Sequence, residues 1–214
     1  MSGTAGDLLD LLDWKRRVFE LYAEVRSAAV TDPRAAWTGW RDVRDELFRT
    51  HPQSPIPEGE RAQYAGVPMF DYDPASRTSG EVVPAEHVTL EIGASDGGAY
   101  RFTRFATVRF DLPDAEGLTL DAYWLEGYGG GLFLPFRDAT AGRQTYGAGR
   151  YLMDTVKGSD LGVGGDGRLV LDFNFAYNPS CSYDPRWSCP LAPPANRLAV
   201  RIPAGERYEA GAAP

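Results

Sequence analysis

Hydrophobic residues recur every three or four positions in the first fifty residues, a spacing typical of amphipathic helices. The first predicted helix has an apolar stripe made of Leu8, Leu11, Leu12, Val18, Leu21, Tyr22 and Val25. Asp32 followed by Pro33 fits the N-cap and first turn of a second helix, which should end before His51. Its large apolar residues include Trp37, Trp40, Leu47 and Phe48. The pattern predicts a helical hairpin over residues 1–50, packed on the rest of the chain.

After a proline-rich connector, the pattern changes to short alternating runs separated by Gly, Pro, Asp and Ser. The predicted strands are Glu81–Val83, His87–Ile92, Tyr100–Arg104, Thr107–Leu112, Leu118–Leu125, Gly131–Phe136, Leu169–Phe175 and Leu198–Ile202. Their hairpin-length connections favour an antiparallel β-sandwich or a small β-barrel-like domain. The predicted fold class is therefore mainly β with an N-terminal α-helical hairpin, and residues 51–214 form a single β-domain.

The segment 172–200 is rich in proline and aromatic residues and contains the only two cysteines of the chain, Cys181 and Cys189. It has too much proline for one strand or helix and too many aromatic rings for a solvated linker. We therefore predict an ordered crossing loop at residues 177–197 that covers one face or end of the β-domain. The cysteines either fill space in this loop or close it with a disulfide; in a cytosolic setting both would stay reduced, and we expect at least one to be buried.

The composition of the chain argues against several classes of function. A chain of 214 residues with 43% hydrophobic content can bury one substantial core. The net charge of −8 argues against binding to nucleic acid or to anionic membranes. The N-terminal residues lack the pattern of a secretory signal, and no apolar run is long enough to span a membrane. The expected location is the cytoplasm.

Motif tests exclude several chemistries. The segment 93–97 matches Gly-x-Ser-x-Gly, but a strand follows where that motif needs a helix, so Ser95 should lie in a hairpin turn. The glycine-rich segment 142–151 lacks the lysine of a P-loop and the third glycine of a dinucleotide fingerprint. With only His51 and His87 available, no metal site is predicted. The sequence cannot show that a cysteine and a histidine are adjacent, so no catalytic residue or cofactor is assigned.

A ligand site is predicted where the segment 142–151 and the strand Leu169–Phe175 meet the crossing loop. Strand alternation turns Asp172 away from the core, and the two arginines of the glycine-rich segment would recognise an anionic group or form internal ion pairs. The candidate ligand-binding residues are Arg143, Tyr146, Arg150, Asp172, Asn174, Tyr177, Asn178 and Tyr183. We expect Asp172 to be buried and bonded to Arg150, to Arg143, or to a backbone amide of that segment.

Three segments resemble the bacterial DUF1684 family of unknown function: "LFRTHPQSP", "LFLPFRDATAGRQTYGAGRYL" and "DFNFAYNPSCSYDPRWSCPLAPPANRLAVRIPAGE". The resemblance extends from Trp14 to about Glu206. It implies one domain architecture and supplies no activity, substrate or catalytic residue. The leading hypothesis is a domain that binds a small anionic molecule, which leaves open whether it is an enzyme. The alternative is an interaction module that binds a protein or forms a homo-oligomer through Trp37, Trp40 and Phe48.

Overall fold

The computed structural model describes residues 4–208. Two helices come first, α1 (Ala5–Ala28) and α2 (Pro33–Thr50). α1 begins with a capping box in which Thr4 and Asp7 satisfy each other's backbone amides, and α2 begins at the Asp32 cap with a proline in its first turn. The predicted helical hairpin is therefore confirmed. No helix within residues 4–208 is long and apolar enough to cross a membrane.

Six strands follow the hairpin: β1 (Arg77–Gly93), β2 (Ala99–Leu112), β3 (Ala115–Leu125), β4 (Leu132–Phe136), β5 (Arg150–Asp154) and β6 (Leu169–Asp172). They form one antiparallel sheet in the order β5-β4-β3-β2-β1-β6. The sheet is nearly closed and barrel-like, which confirms the predicted mainly β fold class.

The strand boundaries differ from the predicted ones in several places. The first four predicted segments merge into the two long strands β1 and β2, and the pairing register shifts between Pro84 and Val88. The predicted strand Leu198–Ile202 is wrong, because this segment only touches the chain after β4, where Leu198 N donates to Arg137 O at 2.7 Å. β5 was not predicted, because all five of its residues are buried and show no alternation.

The last predicted strand, Leu169–Phe175, ends early. β6 stops at Asp172, whose carboxylate accepts a hydrogen bond from the Asn174 amide at 3.1 Å and starts a 3-10 turn over Phe173–Phe175. Because the turn breaks the two-residue period, Phe173, Asn174 and Phe175 are all buried. The polar face that alternation predicted at this point therefore lies inside the protein.

The main core lies between the helical hairpin and the sheet. Trp40 packs against Phe175 with ring centroids 5.2 Å apart, and the Trp37 indole donates to the Asn174 carbonyl at 2.9 Å. Its helical and strand residues include Leu21, Tyr22, Val25, Val108, Phe110, Leu120, Leu134, Phe136, Leu152 and Leu171. A second, aromatic cluster lies where β1 ends and β2 begins, and contains Ile92, Phe102, Tyr123, Phe133 and Tyr151.

The crossing loop is ordered by contacts with the β1–β2 turn. Ser95 lies in that turn, as predicted; its amide donates to the Cys189 carbonyl at 3.0 Å and its hydroxyl accepts from the Cys189 amide at 3.1 Å. Leu191 N donates to Gly93 O at 2.9 Å, so the crossing loop also bonds to the last residue of β1. The loop therefore crosses the end of the sheet that holds the aromatic cluster.

Candidate functional site

The eight predicted ligand-binding residues do not form one pocket. Arg150 is 1% exposed and donates to the carbonyls of Ile202, Ala204 and Glu206. Its second partner group is the buried carboxylate of Asp138, 3.4 Å away. Burial lowers the pKa of Arg150 to about 10, although Asp138 opposes this effect. Arg150 thus holds the C-terminal segment in place and has no donor directed toward solvent.

Asp172 is completely buried, as predicted, but its ion-pair partner is Arg77, at 2.9 Å. The two residues lie directly opposite each other in the β1–β6 ladder, whereas Arg150 and Arg143 belong to other clusters. Asn174 donates to the Asp172 carboxylate at 2.8 Å and exchanges two further hydrogen bonds with the backbone of Asp73. Burial raises the pKa of Asp172, while Arg77 and Asn174 lower it.

A third cluster surrounds Glu206, a fully buried carboxylate that sequence analysis did not identify as a site residue. Arg44 of α2 donates to it at 2.7 Å, the Tyr183 hydroxyl at 2.7 Å and the Asn178 amide at 2.6 Å. The Arg44 guanidinium also lies 5.0 Å from the centre of the Tyr177 ring. Three of the predicted site residues, Tyr177, Asn178 and Tyr183, therefore belong to an internal network that joins α2 to the C-terminal segment.

The remaining two predicted residues lie apart. Arg143 is exposed and lines a shallow depression of about 260 Å³ with Gln144 and Arg201. Tyr146 is partly buried, with its hydroxyl 4.0 Å from the Cys181 sulfur. The predicted site residues therefore lie in separate clusters, because Arg150 pairs with Asp138 and Asp172 pairs with Arg77.

A different region holds a cleft made of two adjacent cavities, here called its lobes, which combine apolar walls with polar groups. Its first lobe, of about 220 Å³, is lined by α1, the turn after β5 and the crossing loop through Leu11, Trp14, Lys15, Gln53, Val156, Lys157, Ser180, Trp187, Ser188 and Cys189. Its second lobe, of about 190 Å³, reaches the aromatic cluster through Tyr100, Phe102, Leu125, Phe133, Asp154, Val156, Lys157, Ser188 and Pro190. The lobes share Val156, Lys157 and Ser188, and we call the whole the lysine cleft.

The turn after β5 positions the charged side chains of the lysine cleft. Asp154 ends β5 and exchanges two 3.0 Å backbone hydrogen bonds with Ser159, so residues 155–158 form a tight loop. Gly158 closes this loop with φ of 91°, and a side chain there would lie 3.1 Å from Phe19 of α1. Glycine therefore allows the turn to lie against α1, which brings Lys157 to the same cleft as Lys15.

The electrostatics of the lysine cleft depend on one buried acid and two amines. The Asp154 side chain is 9% exposed, and its carboxylate lies 4.0 Å from the Lys157 ammonium. Burial raises the pKa of Asp154, while Lys157, and more weakly Lys15, act in the opposite direction. A long ion-pair distance and a largely exposed Lys157 leave that ammonium free to bind a second acceptor.

The composition of the chain contains a signal for this cleft. The chain has 22 lysine and arginine residues, and only two of them are lysines, Lys15 and Lys157. Both line the first lobe. Trp187 lines the same lobe, and within residues 4–208 its buried indole N–H finds no hydrogen-bond acceptor. The cleft therefore places two amines next to apolar walls.

The helical residues assigned to the interaction hypothesis are not on the surface. Trp37, Trp40 and Phe48 are 6%, 1% and 2% exposed. The exposed large apolar residues of the hairpin are instead Leu8, Leu9, Leu12 and Phe19 of α1, Val30 of the turn between the helices, and Val43 of α2. A partner surface on the hairpin would have to use these residues. No cluster of three or more metal-binding side chains occurs among residues 4–208.

Comparisons with known proteins give a family and a fold but no activity. The family described as "Protein of unknown function (DUF1684)" matches residues 62–207. The solution NMR structure of an uncharacterised protein of Haloarcula marismortui, from gene locus rrnAC0354, has 37% sequence identity and a TM-score of 0.58. That match covers 78% of this chain and 90% of the archaeal one. No curated protein matches the chain.

Proposed function

We propose that this chain, which belongs to the DUF1684 family of proteins of unknown function, binds a small amphipathic anion in the lysine cleft. One observation carries the proposal: the only two lysines of the chain line the same cavity. An apolar cavity with a few converging polar groups is the usual composition of a small-molecule site. The lobes measure about 220 and 190 Å³, and because ligand sites usually begin at about 300 Å³, the ligand would have to occupy both.

The two lobes would hold different parts of the ligand. Tyr100, Phe102, Leu125 and Phe133 offer apolar contacts in the second lobe. Lys157 borders both lobes, so its ammonium would meet the anionic group between them. The buried Asp154 would repel a second negative charge in the apolar lobe and so fix the orientation of the ligand.

The test uses octanoate and 1-octanol, which share chain length and differ in charge. We expect isothermal titration calorimetry to detect octanoate binding that exceeds octanol binding. Lys157→Gln should weaken octanoate binding about tenfold, the equivalent of about 1.4 kcal/mol. The matched control is Arg168→Gln, which removes one positive charge from an exposed residue outside the cleft and should leave binding unchanged.

Two results would contradict the proposal. One is no detectable octanoate binding to the wild-type protein. The other is equal weakening by Lys157→Gln and Arg168→Gln, because that pattern would mean that only the net charge of the protein matters. Quenching of tryptophan fluorescence offers an independent signal, since Trp14 and Trp187 both line the first lobe.

A further inference from the structure

The two cysteines are neighbours with unequal exposure. Cys181 is partly exposed, whereas Cys189 is 1% exposed. Their sulfur atoms are not covalently bonded, but the two thiols lie close enough to interact. The Cys189 backbone is fixed by its two hydrogen bonds to Ser95 in the β1–β2 turn. Seven residues separate the cysteines in the chain, so a bond between them would close a short surface loop.

The surroundings of the two sulfurs stabilise a negative charge on Cys181. The neighbouring Cys189 thiol, together with Ser95 and with the Tyr146 hydroxyl 4.0 Å from the Cys181 sulfur, lowers the pKa of the Cys181 thiol to about 6 despite partial burial. The neighbouring Cys181 sulfur and burial raise the pKa of the Cys189 thiol. A partly exposed thiolate beside a buried, protonated thiol is the arrangement of an attacking and a resolving cysteine.

We propose that Cys181 and Cys189 form a redox couple that takes low-molecular-weight disulfides as its oxidising substrate, with Cys181 as the attacking thiol and Cys189 as the resolving thiol. The couple rests on the contact between the two sulfurs and on the exposure of one of them. It does not depend on what the lysine cleft binds.

The reaction balances in two exchange steps. The Cys181 thiolate attacks one sulfur of a disulfide RSSR, which forms a mixed disulfide and breaks the S–S bond to release RS⁻. The Cys189 sulfur, after losing its proton, then attacks the Cys181 sulfur, which forms the internal disulfide and releases the second RS⁻. Two electrons pass from the cysteine pair to RSSR, and the two protons that the cysteines lose balance the two that the released thiols take up. A small dithiol reverses both steps.

The experiment equilibrates the reduced wild-type protein with mixtures of glutathione and glutathione disulfide at pH 7, followed by acid quenching, alkylation and intact mass spectrometry. We expect the wild-type protein to pass from two alkylated cysteines to none, with no glutathione attached. Cys189→Ser should accumulate a mixed disulfide with glutathione on Cys181. Cys181→Ser should form essentially none, because Cys189 is buried and protonated.

Trapping of glutathione on Cys189 instead of Cys181 would overturn the assignment of roles. Two alkylated cysteines at every glutathione ratio would overturn the redox couple itself. If either serine variant fails to fold, the wild-type titration still decides, and peptide mapping after limited alkylation at pH 7 shows which cysteine reacts first. The proposal requires that cysteine to be Cys181.

Discussion

Replacing Glu206 by Gln is expected to destabilise the fold strongly, although the side chain keeps its size. Glu206 is fully buried and accepts hydrogen bonds from Arg44, Asn178 and Tyr183 at 2.6 to 2.7 Å. A glutamine has one acceptor oxygen and one NH₂ group, so at least one of these donors would face another donor. The change also leaves the mostly buried Arg44 without its counter-charge.

The expected loss in the free energy of unfolding follows from these contacts. Removing one member of a buried ion pair costs about 3 kcal/mol or more. For a domain of this size, that loss corresponds to a fall in melting temperature of about 6–12 °C. Differential scanning calorimetry at pH 7 measures the shift, and urea unfolding gives the free energy independently.

The matched control is Glu46→Gln, which breaks an ion pair with Arg49 on the exposed side of α2. That pair has a similar N–O distance, 2.9 Å, but its carboxylate side chain is 63% exposed, so we expect a loss below about 1 kcal/mol. The double variant Arg44→Met/Glu206→Gln should lose less than the sum of the two single losses. Equal melting temperatures for Glu206→Gln and Glu46→Gln would refute the reasoning.

Two further predictions concern other buried positions. Because burial raises the folded-state pKa of Asp154 above 3.8, the folded state holds the proton more tightly, and this contribution to stability is lost as the pH rises through the raised pKa. Asp154→Asn should remove that decline, so its unfolding free energy relative to wild type should increase from pH 4 to pH 8; a constant difference would contradict this. Gly80→Ala should cost about 1–3 kcal/mol in urea unfolding, because its new methyl group would overlap with Val108 and Leu171. In the same strand, Gly93→Ala meets nothing within 4 Å and should be nearly neutral; equal losses would disprove the packing argument.

The helices could be predicted from sequence because their signals are local. The Asp32–Pro33 start and the three- and four-residue spacing of apolar side chains depend only on near neighbours along the chain. The strands were harder to predict from the sequence. β5 is buried on both faces and includes Arg150, so it has neither alternation nor the composition of a strand. The segment 198–202 has strand-like residues but makes only isolated backbone contacts.

The burial of Asp172 could be predicted, whereas its partner could not. Alternation and the following loop indicated a covered carboxylate, but Arg77 lies 95 positions earlier and becomes a neighbour only through the β1–β6 pairing. Glu206 was missed for the same reason, since its main partner, Arg44, is on α2. Lys15 and Lys157 could have been singled out by their rarity, but their shared cleft depends on how α1 packs against the turn after β5.

The Glu206 network joins residues that are far apart in the sequence, and this separation affects folding during translation. Arg44 and Glu206 are separated by 162 positions, and the nearby Gly205 carbonyl accepts a hydrogen bond from Phe70. During translation the helical hairpin leaves the ribosome early, but the carboxylate that pairs with Arg44 emerges only when residue 206 does. Before that, Trp40 must wait for Phe175 and Phe48 for Tyr183, so nascent chains would remain prone to aggregation until synthesis passes the segment from residue 175 to residue 206.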